Sequence, residues 1–109
     1  MTPAAFAKLA LALDGAVQGS HHGTTDFRSG GKIFATIGYP DAAHAMVKLT
    51  PDQQKMLVDA EPEMFVPVKG GWGLRGATNV RLKEVDATTA RSALSMAWQN
   101  VGAAKRRKK

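Results

Sequence analysis

The sequence contains no cysteine, so disulfide bonds and thiolate chemistry are excluded. It also has no long uninterrupted apolar run, because the early apolar stretch contains Lys8 and ends at Asp14. No basic leader precedes that stretch, so neither a signal peptide nor a membrane span is expected. We expect a cytoplasmic protein that makes no contact with a membrane.

Aromatic residues are scarce, at 6% of the chain, whereas hydrophobic residues as a whole make up 44%. The second figure is typical of a globular protein and argues against disorder of the whole chain. A length of 109 residues is enough for one domain with one core and too short for two. We assign residues 1–104 to a single domain and residues 105–109 to a basic tail.

Positive charge is unevenly distributed along the chain. The net charge is +6, and residues 105–109 are all Lys or Arg. The rest of the chain has ten basic residues against nine acidic ones, so it is almost neutral. A basic run attracts polyanions by releasing their counterions, but it also serves as a solubilising terminus. Composition alone does not decide whether the tail binds a polyanion or only increases solubility.

Three helices are indicated by capping residues, by proline at the first helical position and by apolar residues at helical spacing. Their predicted ranges are Thr2 to Leu13, Thr50 to about Ala60, and Asp86 or Thr88 to about Ala103. In the second helix Gln53 completes a capping box with Thr50, and Met56 and Leu57 are expected to be buried.

Alternating apolar and polar residues predict strands between these helices. The predicted strands are Ala16 to His22, Thr24 to Arg28, Lys32 to Ile37, Ala43 to Leu49, Met64 to Val68 and Thr78 to Val85. Gly30-Gly31 suits a tight hairpin, and Pro67 suits an edge strand. In the third strand, strict alternation places Phe34 on the same face as Lys32 and Thr36. We expect an α+β fold in which an antiparallel sheet of five to six strands packs against the N-terminal, middle and C-terminal helices.

No residue pattern points to a metal, a cofactor or a catalytic group. His21, His22 and His44 do not complete a tetrahedral ligand set, so no metal site is expected. Asp26 is expected to satisfy a turn and Arg28 to be a solvated or paired strand charge, rather than parts of a reaction centre.

A glycine-rich stretch, Lys69 to Ala77, is predicted to be a loop around Trp72. It lacks the Gly-Lys-Ser/Thr ending of a P-loop and the dinucleotide fingerprint. Trp72 is therefore expected to plug the core beneath the loop, and a stacking platform for a base is the alternative.

Several motifs, in order along nearly the whole chain, together resemble the MmcQ/YjbR family. They are Ser20-His21, Asp26-Phe27-Arg28, Gly31-Lys32-Ile33-Phe34-Ala35-Thr36, Val47-Lys48-Leu49-Thr50-Pro51, Trp72-Gly73-x-Arg75-Gly76-Ala77-Thr78 and Val80-Arg81-Leu82. The resemblance implies a fold like that of the bacterial frataxin homologue CyaY. It also implies a DNA-binding protein with a double-wing arrangement.

If this function transfers, the wings are the hairpins around Ser29-Gly30-Gly31 and Gly38-Tyr39-Pro40. The resemblance then implies that the Lys and Arg residues of the motifs contact phosphates, and that the basic tail adds further positive charge. These candidates are Arg28, Lys32, Lys48, Arg75 and Arg81, with Lys105, Arg106 and Arg107 in the tail. The first helix has no acidic ridge, so iron binding of the frataxin type is not expected.

The leading hypothesis is a non-enzymatic, monomeric DNA-binding protein that contacts the phosphate backbone with limited sequence specificity. The alternative is a protein-interaction or small-ligand module whose pocket involves His21, Asp26 and Trp72. A third hypothesis, a hydrolase centred on His21 and Asp26, is abandoned if those two side chains lie far apart or are buried in structural hydrogen bonds.

Overall fold

The structure is a computed structural model that describes the backbone of residues 1–107 and the side chains of residues 1–102. It has four helices and six strands within that range. In chain order they are α1 (Pro3–Leu11), β1 (Val17–His21), β2 (Thr24–Ser29), β3 (Lys32–Ile37), β4 (His44–Lys48), α2 (Pro51–Ala60), β5 (Phe65–Pro67), α3 (Gly71–Leu74), β6 (Ala77–Arg81) and α4 (Ala87–Arg107). No helix among these residues is both long and apolar enough to cross a bilayer.

The longer helices begin where the capping residues predict. The Thr2 hydroxyl accepts a hydrogen bond from the amide of Ala5 at the start of α1. Thr50 and Gln53 form a complete capping box at the start of α2, which satisfies two backbone donors that have no partner within the helix. Asp86 accepts from the amide of Thr89 at 2.7 Å and so caps α4.

The six strands form one antiparallel sheet in the order β1-β2-β3-β4-β6-β5. Gly30 and Gly31 connect β2 to β3 with φ values of 62° and 83°, which suit the two-residue hairpin turn that their sequence predicts. β5 lies at one edge and ends in Pro67, where a missing N–H costs no ladder bond. The predicted α+β class is confirmed, with six strands.

One face of the sheet holds the hydrophobic core. Helices α1 and α4 pack against the central strands, and α2 packs at the β5 and β6 end. The residues buried between these layers include Phe6, Phe27, Phe34, Ala35, Val47, Phe65, Val80, Leu94 and Ala97. Because the helices cover this face, the opposite face is left for other contacts.

A β-bulge changes the predicted alternation in β3. Phe27 pairs with Ala35 while the next residue, Arg28, pairs with Ile33, so Phe34 is the extra residue on the bulged strand. As a result Phe34 and its neighbour Ala35 both belong to the core. The expectation that Phe34 shares a face with Lys32 and Thr36 was therefore wrong for Thr36, which lies on the other face of the sheet, whereas Lys32 is on the same side as Phe34.

Three other local predictions differ from the structure. Met56 was expected to be buried but is 51% exposed, since Leu57 fills the core position of α2. The glycine-rich stretch contains the short helix α3 instead of being loop throughout, and its Trp72 is 60% exposed, so it does not plug the core. Helix α4 extends beyond the predicted end near Ala103 and reaches Arg107.

Candidate nucleic-acid interface

Residues that point away from the helices form what we call the open face of the sheet. Strand register places Asp26 opposite Thr36, Thr36 opposite Met46, and Met46 opposite Asn79. Directly paired residues of an antiparallel sheet point to the same side, so these four residues form one row across β2, β3, β4 and β6.

A pocket of about 500 Å³ lies on the open face. Strand residues form its floor, and the β1–β2 turn, the β3–β4 turn and α3 form its rim. The lining residues are His21, His22, Thr24, Ile33, Thr36, Tyr39, Met46, Lys48, Val68, Lys69, Trp72, Ala77 and Asn79. The volume is within the range of pockets that hold small molecules, roughly 300–1,000 Å³. Of the three residues predicted to share a pocket, His21 and Trp72 line it.

The third, Asp26, is fully buried and is held by the side chains of Arg28 and His21. Its Oδ1 accepts from Nε of Arg28 at 2.8 Å, and its Oδ2 accepts from Nη2 of Arg28 at 3.1 Å. Nδ1 of His21 lies 2.7 Å from Oδ2. The hydrogen bond from Arg28 lowers the pKa of Asp26 below its ordinary value, with a further lowering by His21, and burial opposes both effects.

The buried carboxylate fixes the orientation of the His21 ring. An ionised carboxylate is only an acceptor, so Nδ1 of His21 donates to Asp26. Nε2 is then the ring nitrogen that is left to contact a ligand in the pocket. The two side chains that the hydrolase hypothesis requires are adjacent, but both oxygens of Asp26 are engaged by Arg28 and His21, as in a structural ion cluster.

Gly19 has no side chain, and the ion cluster of Asp26, Arg28 and His21 occupies the space that a side chain would need. A Cβ at Gly19 would lie 3.0 Å from Oδ1 of Asp26 and 3.3 Å from Nε of Arg28. Both distances are tighter than an ordinary van der Waals contact, so a side chain there would press on the ion pair. The glycine in β1 is thus matched to the buried aspartate in β2, its register partner.

Trp72 stands on α3 at the pocket rim with two cations over its ring. Nζ of Lys48 is 5.4 Å from the centroid of the indole ring, and the guanidinium carbon of Arg75 is 5.9 Å from the same centroid. These distances are typical of cation–π contacts. An exposed indole next to two positive charges can accept an aromatic group that carries negative charge.

Two contacts hold α3 in place beneath the indole. A Cβ at Gly73 would overlap the carbonyl oxygen of Val68, so only glycine permits this close approach. Nε2 of Gln54, on α2, donates to the carbonyl oxygens of Gly73 and Ala77, each at 3.0 Å. Trp72 is therefore carried on backbone that is fixed from two sides.

The predicted phosphate contacts do not all lie on one side of the sheet. Strand register places three of them on the open face, namely Arg28, Lys48 and Arg81. Arg75 is on the same side, because its guanidinium contacts the ring of Trp72 at the pocket rim. Lys32 pairs with Ser29 on the opposite side of the hairpin and is exposed at its tip. The predicted tail contacts Lys105, Arg106 and Arg107 lie outside the described side chains.

The charges of the open-face cations are not equally available. Arg28 makes its hydrogen bonds to Asp26, so its charge is compensated within the cluster. Among the described side chains, no ion pair involves Lys48, Arg75 or Arg81. These three charges are therefore the ones that can act on a ligand.

Sequence reasoning did not find Lys69, Tyr39 and Asn79 in the pocket. Tyr39 is in the β3–β4 turn and Lys69 precedes α3, so neither position belongs to an alternating strand. Only Asn79, which shares the open face with Arg81, could have been found from the alternation of β6.

The histidines do not form one cluster. His44, at the start of β4, is hydrogen-bonded at 2.8 Å to Asp41 in the β3–β4 turn, whereas His21 is hydrogen-bonded to Asp26. Within the described residues, no three His, Asp or Glu side chains are grouped closely enough to hold a metal ion. The hydrogen bond from His44 also lowers the pKa of Asp41.

We expect the Asp26→Asn substitution to destabilise the protein at pH 7 by about 1–3 kcal/mol, because it removes the charged acceptor of a buried hydrogen-bonded cluster. The pKa of Asp26 is lower in the folded state than its ordinary value of 3.8, so its stabilisation is present above that pH and is lost as the pH falls through the folded-state pKa. Urea unfolding at pH 7 and near pH 3 should show the difference between wild type and Asp26→Asn shrinking in acid.

Asp41→Asn is the matched control, because Asp41 also pairs with a histidine but is exposed. It should cause a smaller loss of stability than Asp26→Asn at pH 7. Equal losses for the two variants would contradict a special role for the buried cluster.

Sheet order, helix placement and the pocket define a class of protein: a small α+β domain with its long helices on one face of the sheet and a pocket on the other. The model of the YjbR family matches residues 11–100, and the chain belongs to the YjbR family. This confirms the family that the sequence motifs indicate.

A similar solved structure is the crystal structure of Deinococcus radiodurans protein DR2400, described as a DUF419 domain. The two chains share 16% sequence identity at a TM-score of 0.76, over 93% of this chain and 78% of the other. At this identity the likeness establishes the fold alone. No curated protein matches the sequence.

Proposed function

We propose that this protein binds DNA through the open face of its sheet, contacting the phosphate backbone with limited sequence specificity and without catalysing a reaction. The observation that carries the proposal is the charge of the pocket and its rim. Among the described residues, Lys48 and Lys69 line the pocket with His21 and His22, and no carboxylate lines it.

Electrostatics favour a polyanion as the ligand. Arg75 and Arg81 extend the positive surface beyond the pocket, and Asp26, the acidic residue closest in the sheet, is already neutralised by Arg28. Lys and Arg contacts with phosphates release counterions and provide affinity that is independent of sequence. Base-edge recognition in a duplex usually requires a helix or ribbon in a groove. The helix at the rim of the pocket, α3, has only four residues, which supports limited specificity.

The two hairpins named as wings lie at opposite ends of the sheet, because they connect successive antiparallel strands. A ligand that touches both must run along the strands for roughly 20 Å, the length of a six-residue strand. The pocket lies between the two hairpins, with Ile33 near one end and Tyr39 near the other. We include action as a cytoplasmic monomer in the proposal, to be tested by cell fractionation and size-exclusion chromatography.

The test is the salt dependence of binding to a fluorescein-labelled duplex of about 20 base pairs, measured by anisotropy. The triple variant Lys48→Gln, Arg75→Gln and Arg81→Gln should lose at least tenfold in affinity at low salt. Each phosphate contact removed should reduce the slope of log K against log salt by about 0.9.

The matched control removes the same charge from the helices, through Lys8→Gln on α1, Lys55→Gln on α2 and Arg91→Gln on α4. It should bind DNA within about threefold of wild type, because these positions are outside the proposed contact surface. A chain ending at Ala104 measures the contribution of the tail separately. Failure of the full chain to bind both this duplex and a single strand at low salt, or equal losses in both triple variants, would refute the proposal.

The dimensions of the pocket favour a second candidate function, the binding of a small anionic ligand. A cavity of about 500 Å³ with a tryptophan wall and two lysines is suited to a phosphorylated aromatic compound. A thermal-shift screen tests this, since a ligand at 100 times its Kd stabilises the native state by about 2.7 kcal/mol. The shift should be lost in Lys48→Gln.

A further inference from the structure

The pocket also indicates which form of DNA the open face binds. We infer that the ligand is single-stranded, with one unpaired base stacked on Trp72 and its flanking phosphates on Lys48 and Arg75. This inference rests on the proposed function, and it adds the strandedness of the ligand.

The exposure of Trp72 is the first argument. Its side chain is 60% exposed although α3 is fixed by Gly73 and Gln54, so the indole is presented to solvent on a rigid support. A large exposed aromatic on a fixed backbone is the usual platform on which single-stranded nucleic acids stack their bases. The bases of a duplex are already stacked on each other and cannot offer a face to the indole without being flipped out.

The position of the cations relative to the indole is the second argument. Lys48 and Arg75 lie within 6 Å of the ring, at 5.4 and 5.9 Å. A base that stacks on the ring would take the place of these side chains over the indole, and its phosphate groups would lie near them, because base and phosphate are joined through one sugar. The same residues thereby supply the stacking surface and the countercharge.

The floor of the pocket is the third argument. Asn79 and Thr36 lie in the same row of the open face and both line the pocket. Their amide and hydroxyl groups can donate and accept hydrogen bonds, so they can contact the edge of an unpaired base. Those edges are engaged in pairing when the base is in a duplex.

The experiment compares a fluorescein-labelled dT15 strand with a 15-base-pair duplex at equal salt, using the full chain. We expect single-strand binding to be at least tenfold tighter. Trp72→Ala should weaken dT15 binding by roughly tenfold, in line with the usual effect of losing one base–aromatic stack, and leave duplex binding within about twofold. The exposed Trp72 makes few core contacts, and circular dichroism would verify that the variant is folded.

Leu74→Ala is the matched control, because Leu74 is on the same short helix and is also exposed. It should bind dT15 like wild type. Trp72→Phe adds an independent measurement: binding should quench tryptophan emission in wild type, and the quench should disappear in this variant, which keeps only the distant Trp98.

Outcomes separate this inference from the proposed function. Duplex binding that equals or exceeds dT15 binding, with no effect of Trp72→Ala, would overturn the inference and leave DNA binding intact. Tighter binding of a U15 ribonucleotide strand than of dT15 would overturn the assignment to DNA. Absence of binding to all three probes would refute both the inference and the proposed function.

Discussion

Replacement of Gly76 with alanine is expected to lower the free energy of unfolding by about 3 kcal/mol or more, from left-handed backbone strain and overpacking together. Gly76 has a φ of +111°, which side-chain-bearing residues rarely adopt, and a Cβ there would overlap the carbonyl oxygen of Leu49. Relief requires movement of the backbone between α3 and β6, because both clashing groups belong to the main chain. Urea denaturation followed by circular dichroism measures the loss.

The effect of Gly76→Ala should extend to the pocket. Gly76 connects α3, which carries Trp72, to β6, and its carbonyl accepts a hydrogen bond from the buried Thr78 hydroxyl at 2.8 Å. Displacement of this segment moves the indole relative to Lys48. DNA binding should therefore weaken under conditions in which the variant is still folded.

Gly23→Ala is the control that separates the cost of backbone strain from the cost of the steric clash with Leu49. Gly23 also has a positive φ, +77°, but nothing lies within 4 Å of a Cβ built on it. Its replacement should cost only the backbone strain, about 1–2 kcal/mol. If Gly76→Ala were no more destabilising than Gly23→Ala, the close contact with Leu49 would have no energetic importance.

Phe34→Ala is expected to destabilise the protein by about 3–5 kcal/mol, the usual cost of removing a buried phenyl ring. Phe34 is fully buried in the core although it is the extra residue of the bulge in β3. The substitution removes ring contacts and leaves a cavity that rigid neighbours on the sheet and helices cannot fill. Thermal and urea unfolding give the same quantity independently.

Ile33→Ala tests whether the bulge has been assigned correctly. Ile33 is half-buried on the open face, so its truncation should cost about 1 kcal/mol. If β3 alternated without a bulge, Ile33 would share the core face with Ala35 and Phe34 would lie on the other face. Ile33→Ala would then destabilise the protein more than Phe34→Ala. A loss for Ile33→Ala as large as that for Phe34→Ala would therefore contradict the bulge.

Local sequence signals predicted most of the fold because each has a short-range cause. The Thr50 and Gln53 capping box, the Gly30-Gly31 hairpin turn and the edge position of Pro67 depend on residues that are near each other in the chain. Hydrogen-bonding groups and allowed φ values at these positions leave few alternatives. Their structural outcome could therefore be predicted from sequence.

The features that escaped prediction depend on contacts between distant segments. The bulge at Phe34 is set by the register between β2 and β3, and a period of two in the sequence contains no information about an inserted residue. Met56 has a hydrophobic side chain of the kind found in cores, but the orientation of α2 exposes it to solvent. Hydrophobicity alone does not specify which side of a helix meets the sheet.

The candidate site was only partly predictable for the same reason. His21, Asp26 and Trp72 could be proposed as neighbours, and the structure brings His21 and Asp26 together within hydrogen-bond distance and places His21 and Trp72 in one pocket. The exposure of Trp72 results from the contact of Gly73 with Val68 and from the bonds of Gln54, which link segments of the chain that sequence spacing does not relate. Similarly, Lys32 and Arg28 are near each other in the sequence but belong to opposite sides of the hairpin.

The two edges of the sheet differ in how they could receive another strand. β5 is short and ends in Pro67, whereas β1 is longer and has a backbone N–H at every position. A further chain would therefore find a fuller set of hydrogen-bonding partners along β1. Because His21 lies on that strand and at the pocket rim, strand addition there would place the added chain next to the proposed DNA-binding surface. Self-association at the β1 edge would then compete with nucleic acid for adjoining surface, and titrations at different protein concentrations would measure that competition.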